Sequence, residues 1–305
     1  MRRIHWNAVF LLTATLTAGL LLVALASSAE DKEVELRPIP PGTGVLKGKI
    51  ILKGAPPNLK ALDATLQAEM AKQPGGVCLK CEDFEKTTQA YRLGGPDNKQ
   101  VGNAFVWIEP EAGSFFQIDA KQIEEAARKP AEMDQPHCAF LPHCLALFPS
   151  YRDPKNPKKL KPTGQKFLVK NSAGFAHNTN WTGSTIPGGN QMIPPAKEIT
   201  IENLVPAPTP VTVRCNIHPW MNAWVRVHNH PYVAVSLAEP KVKKAERNFG
   251  TYEIKNVPSG KVRLFAWHEK VGYLTKGLKK GEPIELKAGA TTIKDFELEV
   301  PKEDR

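Results

Sequence analysis

Three side chains that bind transition metals occur within seven positions of one another. Cys215, His218 and Met221 supply a thiol, an imidazole and a thioether, and strand-like runs precede and follow them. A loop between two strands can fold three such donors around one ion. His177, which follows the strand-like run KFLVKN, is the candidate for the fourth donor. Two histidines, one cysteine and a weak axial methionine are the ligands of blue-copper electron-transfer sites, so the spacing predicts a one-electron copper centre.

Two segments of this region resemble cupredoxins. Residues 171–178, NSAGFAHN, resemble the plastocyanin segment that carries the first copper histidine. The C-x-x-H-x-x-M spacing that starts at Cys215, with a proline after the histidine, is similar to that of amicyanin. The resemblance covers residues 136–230. It implies a cupredoxin fold that holds one type 1 copper ion through the four residues named above.

The same resemblance implies roles for residues around the four donors. Asn171 is expected to hydrogen-bond to the loop that carries the copper cysteine, and Asn216 is expected beside the ligands. His218 is expected near the surface as the exit for electrons. Pro219 and Trp220 would then belong to a docking patch for a redox partner.

The C-terminal region carries a second resemblance. In secreted bacterial proteins labelled methylamine-utilisation-like or plastocyanin-like, a cupredoxin unit is followed by a small carboxypeptidase-regulatory-like sandwich. The matching signature residues here are Gly250, Tyr252, Ile254, Pro258, Gly260, Trp267, His268 and Glu269. The resemblance says little about residues 44–135.

Four further cysteines form two groups, and in an exported protein an even set indicates disulfides. We expect two bridges that join Cys78 and Cys81 to Cys138 and Cys144, with the connectivity left open. Because the last two each follow a Pro-His pair, a second metal site built from the four cysteines is an alternative. A redox C-x-x-C pair is a weaker alternative because no thioredoxin-like βαβ pattern surrounds it.

Two further histidines, His228 and His230, have the spacing that puts two side chains on one face of a strand. They are the candidates for a second site of type 2 copper or zinc, with His268 as an additional donor. Pro231 follows directly and is expected to end the strand. The alternative is that both histidines are structural.

The composition is that of a globular protein with an export signal. The 305 residues carry a formal charge of +10, with 41% apolar and 24% charged residues, which excludes a disordered acidic chain and a multi-span membrane protein. Residues 1–29 combine two arginines, an uncharged apolar run and small-x-small sites, the pattern of a cleaved secretory signal peptide. An uncleaved membrane anchor is the alternative. We therefore expect a periplasmic or secreted protein with no membrane span after cleavage.

We predict a mainly β protein: a Greek-key cupredoxin β-sandwich flanked by further small β-sandwich regions, with few short helices. Short alternating runs and 27 prolines favour strands and turns. Helical patterns occur at 59–73 and 119–129. The predicted order is signal peptide (1–29), linker (30–43), N-terminal β-rich region with two short helices (44–135), cupredoxin domain (136–235) and C-terminal sandwich (236–305). Chain order leaves open whether 44–135 folds independently or packs with the C-terminal sandwich.

The favoured function is single-electron transfer between redox proteins of the cell envelope. The lysines are dispersed, so no nucleic-acid groove is expected, and the positive charge favours acidic partners. We expect no enzyme activity, because G-x-S-x-G and H-E-x-x-H are absent from the sequence and eight histidines are too few for a multicopper oxidase. The alternative is a copper-storage protein or an envelope-binding module without redox turnover. The third hypothesis is a copper enzyme whose second metal centre lies at His228 and His230.

Overall fold

The structure, a computed structural model, describes residues 35–305 and is mainly β, which confirms the predicted fold class. The predicted signal peptide lies outside the described residues. The N-terminal strands are β1 (Arg37–Ile39), β2 (Gly44–Lys53), β3 (Leu93–Gly94), β4 (Gln100–Val101), β5 (Phe105–Pro110), β6 (Ser114–Phe116) and β7 (Ala131–Asp134). The central strands are β8 (Cys144–Leu147), β9 (Ser150–Asp153), β10 (Asn156–Pro162), β11 (Phe167–Asn171), β12 (His177–Thr182), β13 (Gly189–Ile193), β14 (Lys197–Ile201), β15 (Val211–Arg214) and β16 (Asn222–Val227). The C-terminal strands are β17 (Val233–Val235), β18 (Thr251–Val257), β19 (Gly260–His268), β20 (Gly272–Tyr273), β21 (Glu282–Leu286), β22 (Thr291–Ile293) and β23 (Phe296–Glu299).

Two α-helices occur in the described part of the chain, α1 (Leu59–Ala71) and α2 (Ala120–Arg128), both where helical patterns were predicted. Asn58 caps α1 and Asp119 caps α2, each by accepting a hydrogen bond from a first-turn amide. A 3-10 segment, Pro74–Lys80, follows α1 and carries the first of the paired cysteines.

The central strands form a sandwich of two sheets. One sheet has the order β14-β11-β7 and the other the order β13-β12-β15-β16-β8. β7 runs parallel to β11, and β8 runs parallel to β16. Buried side chains from both sheets, such as Met133, Val169, Val213 and Val225, fill the space between them. This sandwich carries all four predicted copper ligands.

The segments on either side of the central sandwich pair with one another. β2 is antiparallel to β18 and parallel to β22 and β23, and β5 is antiparallel to β19. Leu46, Ile108, Leu264 and Leu298 belong to one shared core. The N-terminal and C-terminal strands thus build a single flanking sandwich, and the central sandwich is inserted between its two halves.

The predicted linker contains a strand in its described part. β1 pairs in parallel with β6, from Arg37 beside Ser114 to Ile39 beside Phe116. The linker prediction is therefore wrong for these residues. Backbone hydrogen bonds hold the segment, and Ile39 packs against the flanking core despite the neighbouring prolines and charges.

An aromatic cluster joins the two sandwiches. Phe105 and Trp107 on β5 pack with Phe265 on β19 and, from the central sandwich, with Cys144 and Trp224. In the same junction the buried guanidinium of Arg226 lies 4.1 Å from the centre of the Trp107 ring, a cation–π contact. Residues 35–305 accordingly form one compact unit.

Buried His268 is expected to make the fold sensitive to acid. Burial lowers the pKa of His268 to about 4, although the adjacent Glu269 acts in the opposite direction. In the unfolded chain a histidine titrates near pH 6.5, so the unfolded state binds more protons between pH 6.5 and 4 and stability falls as the pH falls through that window. We expect His268→Gln to remove about 3 kcal/mol of the stability difference between pH 7 and pH 4, measured by urea unfolding at both pH values. An unchanged difference in the variant would contradict this prediction.

Candidate metal centre

The structure brings His177, Cys215 and His218 together. His177 is the first residue of β12, and Cys215 directly follows β15, the strand that pairs with β12. Cys215 Sγ lies 3.8 Å from His177 Nδ1 and 3.6 Å from His218 Nδ1, and the two Nδ1 atoms are 3.1 Å apart. All three side chains are buried. The donor atoms therefore form a small triangle inside the central sandwich.

This triangle has the dimensions of a metal site. Around a trigonal ion with metal–nitrogen bonds of about 2.0–2.1 Å and a metal–sulfur bond of about 2.3 Å, nitrogen and sulfur donors lie about 3.8 Å apart. The nitrogen–sulfur distances of 3.8 and 3.6 Å agree with that separation, whereas the two nitrogens, at 3.1 Å, lie closer than the roughly 3.5 Å of an ideal trigonal ion. Thiolate and imidazole are also the donors that copper and zinc prefer. The residues thus fit the ion that the sequence predicts.

Met221 lies at the end of the same loop. Its amide donates to the carbonyl of His218 at 2.9 Å, and its carbonyl accepts from the amide of Cys215 at 3.1 Å. These bonds close residues 215–221 into a compact turn. The Met221 side chain is buried in the same apolar cluster as Cys215. The fourth predicted ligand is therefore held in the surroundings of the other three.

Both imidazoles are kept neutral. Burial lowers the pKa of His177 to about 4, and the nearby His218 ring acts in the same direction. Burial also lowers the pKa of His218. A metal ion binds the neutral imidazole, so at neutral pH it does not have to displace a proton from either ring.

Asn178, rather than Asn171, supports the cysteine loop. Asn178 Oδ1 accepts hydrogen bonds from the amides of Asn216 and Ile217, at 2.7 and 3.3 Å, and lies 3.3 Å from the Cys215 sulfur. Asn171 Nδ2 donates instead to two other backbone carbonyls. The role expected for Asn171 is therefore wrong, because this residue ends β11 in the opposite sheet and ties down the segment that leads into β12. Asn216 directly follows Cys215 in the chain, and its backbone amide donates to Asn178 Oδ1.

Replacing Asn178 with alanine should weaken the cysteine loop. The variant leaves two partly buried loop amides without their acceptor, which costs about 0.5–1.5 kcal/mol in unfolding free energy for each hydrogen bond lost. Asn190→Ala is the matched control, because Asn190 Oδ1 accepts from Asn178 Nδ2 without contacting the loop amides. Urea unfolding of both variants should show the larger loss for Asn178→Ala. Equal losses would refute the role of Asn178 Oδ1.

One disulfide forms among the four paired cysteines, between Cys78 and Cys138, which are 60 residues apart. It joins the 3-10 segment after α1 to the central sandwich. Cys81 and Cys144 are free and buried. The expectation of a second bridge is wrong, because Cys81 lies in the central core and Cys144 in the aromatic junction. Burial raises the pKa of the Cys81 thiol to about 11, and burial also raises the pKa of Cys144.

The alternative metal site at the Pro-His-Cys pairs does not assemble. Nδ1 of His137 lies 3.0 Å from a carboxylate oxygen of Glu85, and Nε2 of His143 contacts Glu269. With two of the four cysteines oxidised to a disulfide, the thiolates that this site would need are not present together.

The disulfide lies against His218. Sulfur atoms of Cys78 and Cys138 and a ring nitrogen of His218 are within 4.8 Å of one another, and His218 is only 3% exposed. The expectation that His218 lies near the surface is therefore wrong, because the disulfide-linked N-terminal segment packs beside its ring. Trp220 is half-buried and donates from Nε1 to the carbonyl of Cys138 at 3.2 Å, whereas Pro219 is exposed.

A second cluster contains His228 and His230 together with Glu109. The sequence patterns pointed to the two histidines but not to Glu109. Glu109 comes from β5, more than one hundred residues earlier in the chain, and no local pattern links it to the histidines. His268, expected as an additional donor, is instead stacked on the ring of Tyr91, at 5.8 Å between ring centres.

Comparisons with known proteins find only low similarity to solved structures. No protein-family model and no curated protein matches the sequence. A copper-containing nitrite reductase from Thermus scotoductus SA-01 is similar over 33% of this chain and 22% of its own, with 15% identity and a TM-score of 0.26. A reduced amicyanin mutant is similar over 35% and 89%, with 13% identity and a TM-score of 0.26. A purple cupredoxin from Nitrosopumilus maritimus is similar over 32% and 99%, with 11% identity and a TM-score of 0.24. The chain therefore spans about a fifth of the nitrite reductase, and the assignment of its metal centre rests on the geometry given above.

Proposed function

We propose that this protein carries single electrons through a type 1 copper ion held by His177, Cys215 and His218, with Met221 as the weak axial ligand. The observation that supports this most strongly is the buried triangle of one sulfur and two Nδ1 atoms, with sides of 3.1–3.8 Å. Copper in such a ligand set supplies one-electron chemistry.

The chain's own residues would hold the donors in place during electron transfer. His177 and Cys215 belong to neighbouring paired strands, and backbone hydrogen bonds close the loop that carries His218. A site built on sheet strands is positioned more rigidly than one on free loops. Little movement is then needed when the ion changes its oxidation state.

The proposed docking surface contains Phe175, Ile217 and Pro219. The half-buried Phe175 ring lies 5.0 Å from the His177 ring and 6.1 Å from the His218 ring, between ring centres. Ile217 is 42% exposed and Pro219 is also exposed. These residues offer an apolar contact surface beside His177 and His218. Electrons would leave through this surface, and not through an exposed His218 as the sequence suggested.

We further propose that the protein works outside the cytoplasm, in the periplasm or after secretion. The pattern of residues 1–29 and the C-terminal resemblance to secreted methylamine-utilisation-like proteins support this location. Within residues 35–305, no helix has the length and apolar composition needed to cross a membrane. The formal charge of the full sequence is +10, or 10 − 2 = +8 without Arg2 and Arg3 of the predicted signal peptide, and it favours redox partners with an acidic face.

Copper reconstitution tests the proposal. Cu(II) added to the purified protein should produce an intense visible band that ascorbate bleaches and an added oxidant restores, with one electron per blue centre. Tight copper binding without a reversible colour change would refute the electron-carrier function and support copper storage or delivery instead.

A further inference from the structure

We propose that Glu109, His228 and His230 form a second metal site, for a divalent first-row transition ion, at the junction between the two sandwiches. This inference is independent of the proposed copper centre, because it rests on different residues.

The three side chains converge from both sandwiches. Glu109 lies on β5 of the flanking sandwich, and the two histidines directly follow β16 of the central sandwich. His228 Nδ1 is 3.4 Å from Glu109 Oε1, and His230 Nε2 is 3.3 Å from Glu109 Oε2. One donor atom from each residue lies within 4.8 Å of the other two. The group therefore presents two nitrogens and a carboxylate to one small volume.

The spacing of these groups is compatible with donors around one ion. A charge-assisted N–H···O bond is about 2.7–2.9 Å long, and two donors at about 2.0–2.1 Å from a tetrahedral ion lie about 3.3–3.4 Å apart. The observed distances of 3.4 and 3.3 Å run from the two imidazoles to the two different carboxylate oxygens of Glu109, so this carboxylate faces both rings.

The donor set and its surroundings are those of a metal site with open positions. Two histidines and one carboxylate bind zinc in hydrolases and iron(II) in non-haem oxygenases, and leave room for water or substrate. His228 and His230 are both buried. The Trp107 ring, at 5.8 Å from the His228 ring, and the Phe116 ring, at 5.2 Å from the His230 ring, pack beside the pair.

A small cavity adjoins Glu109. Its volume is about 70 Å³, and Glu109, Phe116, Arg152 and Asn229 line it. A water molecule needs about 10–15 Å³ measured in this way, so the cavity has room for several. Water or a small ligand can therefore complete the coordination of an ion at Glu109.

The test is zinc binding in a Cys215→Ala background, which lacks the thiolate of the copper centre. We expect one tightly bound Zn(II) per chain after gel filtration, and a rise in melting temperature with Zn(II), because an ion that binds only the folded chain stabilises it. Adding Glu109→Gln, which keeps the side-chain shape, should weaken Zn(II) binding on the order of tenfold or more, since even partners beyond the ligands contribute about 10–100-fold.

Glu111→Gln is the matched control, because Glu111 lies two residues after Glu109 and contacts Arg263 rather than the histidines. It should leave Zn(II) binding unchanged. His228→Gln is the second test variant, and near-ultraviolet circular dichroism without metal reports whether each variant is folded.

Two results would overturn the proposal: a Cys215→Ala chain that retains no Zn(II), or equal Zn(II) binding by the Glu109→Gln and Glu111→Gln chains. Glu109 would then accept one hydrogen bond from each imidazole. In that arrangement His230 carries its proton on Nε2, in keeping with the contact of the Tyr232 amide with His230 Nδ1 at 3.3 Å, and Glu109→Gln would lower the melting temperature equally with and without Zn(II). Neither result would contradict the proposed copper centre, because that centre is tested separately by the visible band of the copper-loaded wild-type protein.

Discussion

Cys215→Ser should abolish the intense visible absorption of the copper-loaded protein, whereas Cys144→Ser should keep it. The band of a type 1 centre arises from charge transfer between the cysteine thiolate and copper, and a serine hydroxyl cannot replace that thiolate. Cys215 Sγ lies 3.6–3.8 Å from the Nδ1 atoms of His177 and His218, so its removal leaves only the imidazoles as strong donors. Absorption spectra during a Cu(II) titration, followed by ascorbate, measure the effect.

Cys144 is a matched control because it is also a buried, free cysteine. Its thiol donates to the carbonyl of Asn103 at 3.2 Å in the junction between the sandwiches, and a serine can make the same hydrogen bond. We expect Cys215→Ser to retain weak, pale copper binding through His177 and His218 and to lose reversible redox cycling. A blue band that survives in Cys215→Ser would show that the ligand assignment is wrong.

Removing the disulfide should have the largest effect on stability. In the chain-entropy model, a cross-link that closes a loop of 60 residues contributes about 4 kcal/mol to the unfolding free energy. The Cys78→Ala, Cys138→Ala double variant should lose about that amount in urea unfolding. It should also release copper to a chelator faster, because the disulfide packs beside His218.

Cys81→Ala is the control for this experiment. Cys81 lies in the same core, and its thiol donates to the carbonyl of Cys78 at 3.0 Å without forming the cross-link. It should lose less stability and release copper at the wild-type rate. If the double variant matched Cys81→Ala in both measurements, the disulfide would neither stabilise the fold nor shield the centre.

Local sequence features predicted the ligand candidates and many of the elements. Three ligand candidates lie within seven consecutive positions: Cys215, His218 and Met221. This spacing already limits how they can be arranged around an ion. The apolar periodicity predicted both α-helices, and the alternating runs predicted β11, β14, β15 and β16. These features depend on backbone geometry over a few residues, which is encoded locally.

Local sequence patterns could not predict which distant parts of the chain would be in contact. Asn171 and Asn178 are both plausible partners for the cysteine loop, and only the placement of β11 and β12 in opposite sheets selects Asn178. Likewise, only one disulfide forms, between Cys78 and Cys138, because Cys81 and Cys144 are enclosed in different cores.

The amino-acid sequence alone therefore shows which chemical groups this chain offers: a cysteine, two histidines and a methionine at copper-site spacing, in a mainly β protein. Three features follow from the three-dimensional structure instead: the two ends of the described chain build one flanking sandwich, His218 is buried beside a disulfide, and Glu109 meets His228 and His230. Packing over the whole molecule selects strand partners and burial, whereas spacing and periodicity act within a few residues.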